Sequence, residues 1–320
     1  MSSSAPALTA IAPSHHAAFG PTDVGLILMS VIWGVNYSVV KTGLMGMSPL
    51  TFTGLRVTFA AAVLWLIGLS LREAMPPRKD VWALLALGVI GNGFYQCLFI
   101  FGMSHTRAGI ASLIVAASPA WIAIVSRIFG REQLSGRGWR GIACQLAGVA
   151  CVVGSASAVE SSGQALLGAG LIAMGSIMWA IFSVLLQPYT QRAHPIHLSA
   201  ITLSSGAVFI LLFALPGMAR LDWSAVSART WGAVFYASIG AMVIAYLLFY
   251  RGIKVLGPTR TAMYGNLQPI IALAVAALML GEHPTGWQLL GAALIMAGLV
   301  VSRTAPVHAA RAASPIQDRL

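Results

Sequence analysis

The sequence predicts an all-α membrane protein of ten transmembrane helices, arranged as two inverted five-helix repeats. Three observations carry this: an apolar composition, ten apolar stretches of spanning length, and a second half that repeats the first in register. Hydrophobic residues make up 58% of the 320 and charged residues only 8%, against roughly 25% charged in soluble domains. A water-facing surface cannot be assembled from that mixture. Stretches of about 20 residues, enough to cross about 30 Å of hydrocarbon as a helix, run over 24–44, 51–70, 82–103, 107–129, 138–157, 166–188, 197–218, 230–252, 259–281 and 286–303. Gly102, Pro119, Glu132, Gly136, Gly141 and Gly148 recur 150 positions later as Gly252, Pro269, Glu282, Gly286, Gly291 and Gly298. Trp33 with Trp179 and Pro49 with Pro195 recur at 146. Domain units follow at 23–158 and 164–303, flanked by tails at 1–22 and 304–320 that are expected to be disordered and cytoplasmic.

Taken in order, the first stretch places Trp33, Asn36, Tyr37 and Lys41 at the spacing of one helix face. The second carries Arg56 near its start. Arg56 is expected to snorkel to the nearby outer interface or to bond a helix end, in preference to meeting a substrate carboxylate, and Lys41 likewise. The cluster Met75-Pro76-Pro77-Arg78-Lys79-Asp80 separates the second stretch from the third. There Asn92, Tyr95, Gln96 and Phe99 share a face. Pro119 lies halfway through the fourth and its counterpart Pro269 halfway through the ninth. Each proline removes a backbone donor and clashes with the carbonyl four residues earlier, at Val115 and Gly265, so both helices are expected to kink.

The fifth and tenth stretches carry small-residue stripes, Gly141 with Gly148 and Gly291 with Gly298, that permit close helix contact with each other or with another protomer. The sixth offers Ser176, Trp179, Ser183 and Gln187, the eighth Tyr246, and the ninth Thr261, Tyr264 and Gln268 beside Asn266. The seventh is bounded by His194-Pro195. Polar groups exposed to lipid would be costly, so these faces point inward. They serve interhelical hydrogen bonds or line a wet cavity, and the recurrence of four stripes at one depth favours the cavity. Trp33 and Trp179 lie too deep for the interfacial belt, so their indole nitrogens need internal partners.

Five spans per repeat force the second unit to enter the membrane from the opposite side, an arrangement characteristic of secondary transporters. With the N-terminus inside, fourteen of the 19 Lys and Arg residues, Arg78, Lys79, Arg131 and Arg260 among them, fall on the cytoplasmic side, and Lys41, Arg107, Arg220 and Arg229 opposite. The +11 charge is thus a topology signal. Scattered over short loops, it does not form the stripe that a nucleic acid would need. The first 22 residues show no charged n-region followed by an apolar h-region, so no cleavable signal is expected. Cys97, Cys144 and Cys151 fall inside spans and read as small apolar residues.

Asp, Glu and His all avoid the span centres. Proton-coupled carriers usually keep such a group there, so the expectation is facilitated export, or coupling through a group outside the core. A pocket without carboxylates suits zwitterions or anions better than cations. An enzyme is excluded by the lack of a nucleophile with a base at its depth and of any metal-ligand cluster. No metal and no cofactor are expected; the partners are a small-molecule substrate and the lipid bilayer, and the oligomeric state is not legible.

Trp33-Gly34-Val35-Asn36-Tyr37, with Lys41, Gly43, Pro49 and Arg56, resembles the opening of EamA-type proteins of the drug/metabolite transporter superfamily. Gly257-Pro258, Asn266-Leu267-Gln268-Pro269, Leu280-Gly281-Glu282 and Gly291-Ala292-Ala293-Leu294-Ile295 with Gly298 extend the resemblance over about residues 24–303. Thr106-Arg107-Ala108 departs from the pattern where the second repeat has Gly257-Pro258, leaving the start of the fourth span open. The resemblance implies a ten-helix inner-membrane exporter of small metabolites. Its cavity would be lined by spans one, three, four, six, eight and nine, with five and ten peripheral. The expected function is export of an amino acid or similar zwitterion or anion, aromatic ones included. The alternatives are a drug or organic-cation exporter of the same family, a channel, or a non-transporting receptor.

Overall fold

Inside hydrocarbon a backbone N–H has no water to bond, so an apolar stretch must close its hydrogen bonds within itself. The computed structural model describes residues 20–70, 74–133, 135–160, 163–303 and 308–309; nearly all of both expected tails lies outside them. Each apolar stretch forms a helical rod. These are α1 (Pro21–Leu44), α2 (Pro49–Ser70), α3 (Arg78–His105), α4 (Ala108–Ile128), α5 (Gly136–Glu160), α6 (Gly163–Thr190), α7 (Pro195–Arg220), α8 (Ala228–Leu256), α9 (Pro258–Leu280) and α10 (Gly286–Arg303). Among the described residues eight rods, α1–α4 and α6–α9, are long and apolar enough to cross a membrane. In α10 the apolar part is shorter, Gly286–Ser302, and α5 opens on Arg137 and Arg140. Among the described residues, strand structure is confined to a two-residue antiparallel bridge, Glu132–Gln133 with His308–Ala309.

Rods α1–α3 and α5–α8 begin two to four residues before the apolar runs, because the residues that open a helix need not be apolar. Proline opens α1, α2, α7 and α9, where its missing N–H would have no intrahelical partner anyway. Ser227 Oγ accepts from Thr230 N at 3.2 Å ahead of α8. At α4, where the sequence departs from its repeat, the cap comes from the other half of the chain. Glu282, in the turn after α9, accepts from Ala108 N at 3.2 Å and Gly109 N at 3.1 Å.

Four rods are interrupted in matched pairs. α3 widens into a π-helix over Val89–Phe94 and α8 over Tyr236–Ile244. α4 breaks at Ala116–Ala117, just before Pro119, and α9 tightens into a 3₁₀ turn over Gly265–Leu267, just before Pro269. The carbonyl of Val115, which the Pro119 ring displaces, accepts from Ser118 Oγ at 2.6 Å. Gly265 O accepts from Gln268 N. The proline kinks are therefore present and their freed acceptors are satisfied locally.

Packing is paired in the same way. α2 lies along α7 and α5 along α10; α1 meets α8 and α9, as α6 meets α3 and α4. A Cβ on Gly298 would lie 2.5 Å from Gly141 O, and one on Gly148 would lie 2.6 Å from Gly291 O. The small-residue stripes of α5 and α10 thus face each other, with residue numbers rising along one helix as they fall along the other. Two main apolar cores, one including Val40, Ile114 and Ile172 and the other Leu26, Phe182 and Phe249, fill the space between rods.

Candidate binding cavity

The interruptions place polar and aromatic side chains around one central cavity of about 800 Å³, its open mouth included. A π-turn inserts one residue into the helical ladder, which turns the following face by about 100°. Beyond the π segment of α3, Tyr95, Gln96 and Phe99 line the cavity, whereas Asn92, inside that segment, does not. Beyond the π segment of α8, Tyr246 and Phe249 do so. The broken turns of α4 and α9 bring in Val115, Ala116 and Ser118 from one side and Thr261, Gly265 and Gln268 from the other.

Of the residues designated from sequence, Trp33, Asn36, Tyr37, Tyr95, Gln96, Trp179, Tyr246 and Gln268 line this space together. Trp179 is its aromatic hub, with ring centroids 5.9 Å from Trp33, 5.0 Å from Tyr95, 5.6 Å from Tyr246 and 5.2 Å from Phe249. Trp33 donates its indole N–H to Ala241 O at 2.9 Å, the internal partner its depth demands. Tyr246 donates to Asn92 Oδ1 and accepts from Gln96 Nε2, both at 3.1 Å. Two of these contacts join residues that the repeat makes equivalent: Trp33 with Trp179, and Gln96 with Tyr246.

Four designated residues stand outside the lining. Asn92 is fully buried and holds Tyr246 from behind. Ser183 returns its hydroxyl to Trp179 O at 2.7 Å within its own helix. Tyr264 donates to the Asp23 carboxylate, and its carbonyl accepts from Ser30 Oγ at 2.7 Å, tying α9 to α1. Asn266 caps its own 3₁₀ turn through Met263 O at 2.7 Å. For Ser183 and Asn266 local backbone chemistry claimed the polar group, and for Asn92 and Tyr264 a side chain on a distant helix did, competitors that spacing alone does not reveal.

Arg56 corrects the sequence reading outright. It neither snorkels nor bonds a helix end. Only 2% exposed, it lines the cavity and donates from Nη2 to Gln96 Oε1 at 2.7 Å. Its guanidinium lies 5.7 Å from the Phe52 ring centre and 5.8 Å from that of Phe99. Because α2 starts at Pro49, Arg56 sits about 10 Å along the helix, on the face turned to α3 instead of to lipid. Phe249 was missed as well, although Phe99 lies 150 positions before it and the register would have found it. The cysteines are half-buried and free, with Cys144 Sγ 3.3 Å from Leu294 O.

The cavity is walled by α1, α3, α4, α6, α8 and α9, with α2 contributing Arg56 and with α5 and α10 outside. A sequence model described as the EamA-like transporter family matches residues 21–154 and again 166–304. The chain belongs to this family. It is 30% identical over 285 residues to the "probable amino-acid metabolite efflux pump" of Escherichia coli strain K12, covering 86% of this chain and 92% of that one. It is 27% identical to the "uncharacterized transporter YdfC" of Bacillus subtilis, over 85% of this chain and 87% of the relative. Identity to the "probable terminal-alkyne amino-acid exporter" of Streptantibioticus cattleyicolor is 25%, over 86% and 91%. A solved crystal structure shares the fold with TM-score 0.61 at 18% identity, over 87% of this chain and 94% of that one. The family member described here is therefore a multi-pass membrane transporter of small molecules and not an enzyme.

Proposed function

We propose that the chain is an inner-membrane secondary transporter that exports a small organic metabolite, an amino acid or similar zwitterion or anion, by alternating access. Two inverted five-helix units, 23–158 and 164–303, enclose the cavity in this reading, all ten rods cross the bilayer, and both termini are cytoplasmic. The observation that carries it is the cavity itself. Rings supply apolar walls, amides and hydroxyls supply hydrogen bonds, and Trp33–Trp179 and Gln96–Tyr246 meet where a two-fold axis between the units would pass. The antiparallel contacts Gly141–Gly298 and Gly148–Gly291 support the inversion, since each maps onto the other when the units are exchanged. The names of the Escherichia coli and Streptantibioticus relatives support amino-acid-type cargo.

Among the described residues no Asp, Glu or His lines the cavity, so the proposed transport runs down the substrate gradient without a proton in the core. The test is flux in proteoliposomes containing the purified chain, across a panel of amino acids, sugars and drugs. Efflux of an amino acid at the same rate with and without an imposed pH difference is expected; accumulation against a concentration gradient, driven by pH, overturns the uncoupled mechanism. Replacement of Trp33 or Gln268 by Ala is expected to slow saturable flux on the order of tenfold, the effect of about 1.4 kcal/mol of lost contact. Unchanged flux and binding in both folded variants would show that the cargo passes elsewhere.

A further inference from the structure

Taking a guanidinium out of water is costly unless its N–H groups and charge are answered. Arg56 is almost completely enclosed, and of its five donors the described residues answer one, through Gln96. Nε has no partner, and no carboxylate among the described residues pairs with the guanidinium. The Phe52 and Phe99 rings offset the charge only in part. A second cavity residue carries the opposite need: Asn36 is 7% exposed and its Oδ1 is a buried acceptor without a donor. One site thus holds an unanswered cation and an unanswered acceptor beside the Trp33–Trp179–Phe249 rings.

The repeat sharpens this. At the 146-residue offset Arg56 corresponds to Thr202 and Asn36 to Phe182, so neither polar group has a counterpart in the other half. A pocket on a two-fold axis would hold its guest equally well in two orientations; these two residues remove that degeneracy. We propose that Arg56 anchors the carboxylate of the cargo and Asn36 accepts from its ammonium group, so that the cavity selects α-amino acids with an aromatic or bulky apolar side chain. The inference rests on the exporter reading above and names the two side chains that set its specificity.

The test uses the purified full chain in proteoliposomes, following counterflow of labelled tryptophan with three competitors. Tryptophan itself carries both head groups, tryptophanamide lacks the carboxylate, and 3-indolepropionate lacks the amine. A lost charge-assisted hydrogen bond is worth about tenfold to a hundredfold in affinity, so the wild type is expected to prefer tryptophan over each truncated competitor by about tenfold or more. Arg56→Gln is expected to erase the preference over tryptophanamide while keeping that over 3-indolepropionate. Asn36→Leu is expected to do the reverse, and Arg56→Lys to restore part of the carboxylate preference. Because the comparison is between competitors on one protein, a merely structural role for either residue would not produce the crossed pattern. Wild type that moves tryptophan but ranks all three competitors alike, or Arg56→Gln that keeps the full preference for the carboxylate, overturns the inference alone. Absence of flux for every amino acid in the panel overturns the exporter reading, and this inference with it.

Discussion

Glu282 shows how one side chain can join the two halves of the molecule. Its carboxylate caps the first turn of α4 through Ala108 N and Gly109 N, where the local sequence, with Arg107 at the cap, supplies no side-chain acceptor. Substituting Glu282 by Ala leaves both donors open beside a helix dipole and is expected to cost about 1 to 2 kcal/mol, read as a lower melting temperature in detergent. Glu282→Gln, which keeps an acceptor, is expected to recover part of that loss; equal melting of all three proteins would remove the cap from the account. At this scale the sequence is legible where a side chain has one possible use. Trp33 needed an internal acceptor at its depth and has Ala241 O. It is not legible where a polar group has a local competitor, as at Ser183 and Asn266, or where a partner comes from a distant helix, as Gln96 does for Arg56.

At the scale of elements, apolar run length is a direct consequence of bilayer thickness, which is why every expected stretch became a helix with ends shifted by only a few residues. The interruptions inside the rods are less visible. The prolines marked the breaks in α4 and α9, because a missing donor is written in the residue itself. The π segments of α3 and α8 carry no comparable mark; Asn92, inside the first, stays off the lining, whereas Ala241 and Met242, inside the second, join it. The glycine stripes give the sharpest prediction here. Gly298→Ala places a Cβ 2.5 Å from Gly141 O, whereas Gly170→Ala on α6 meets nothing within 4 Å. Overpacking of this kind costs about 1 to 3 kcal/mol. The first variant is therefore expected to melt several degrees below wild type and the second to match or exceed it; equal behaviour would mean that α5 and α10 do not approach this closely in the membrane.

For the whole molecule, the proposed inversion and orientation are open to a simple labelling test. In a background lacking Cys97, Cys144 and Cys151, a cysteine replacing Lys79 is expected to react with a membrane-impermeant thiol reagent only from the cytoplasmic side. One replacing Arg229 is expected to react only from the opposite side. The reverse pattern, or both labelled from one side, contradicts the charge-based topology.

In the proposed alternating-access cycle, the bond between Tyr264 and Asp23 has a consequence for how the two end states would be weighted. A contact that maps onto itself when the units trade places, such as Gln96 with Tyr246, stabilises both states alike and cannot tilt the balance between them. Asp23 and Tyr264 map instead onto Ala169 and Ile114, which can form no such bond. In the proposed cycle one mouth would thus carry a polar clasp that the other lacks, and the resting population is expected to lean toward the state in which that clasp is fastened. Tyr264→Phe is expected to relax that lean without touching the cavity wall, seen as more even labelling of single cysteines placed at the two mouths.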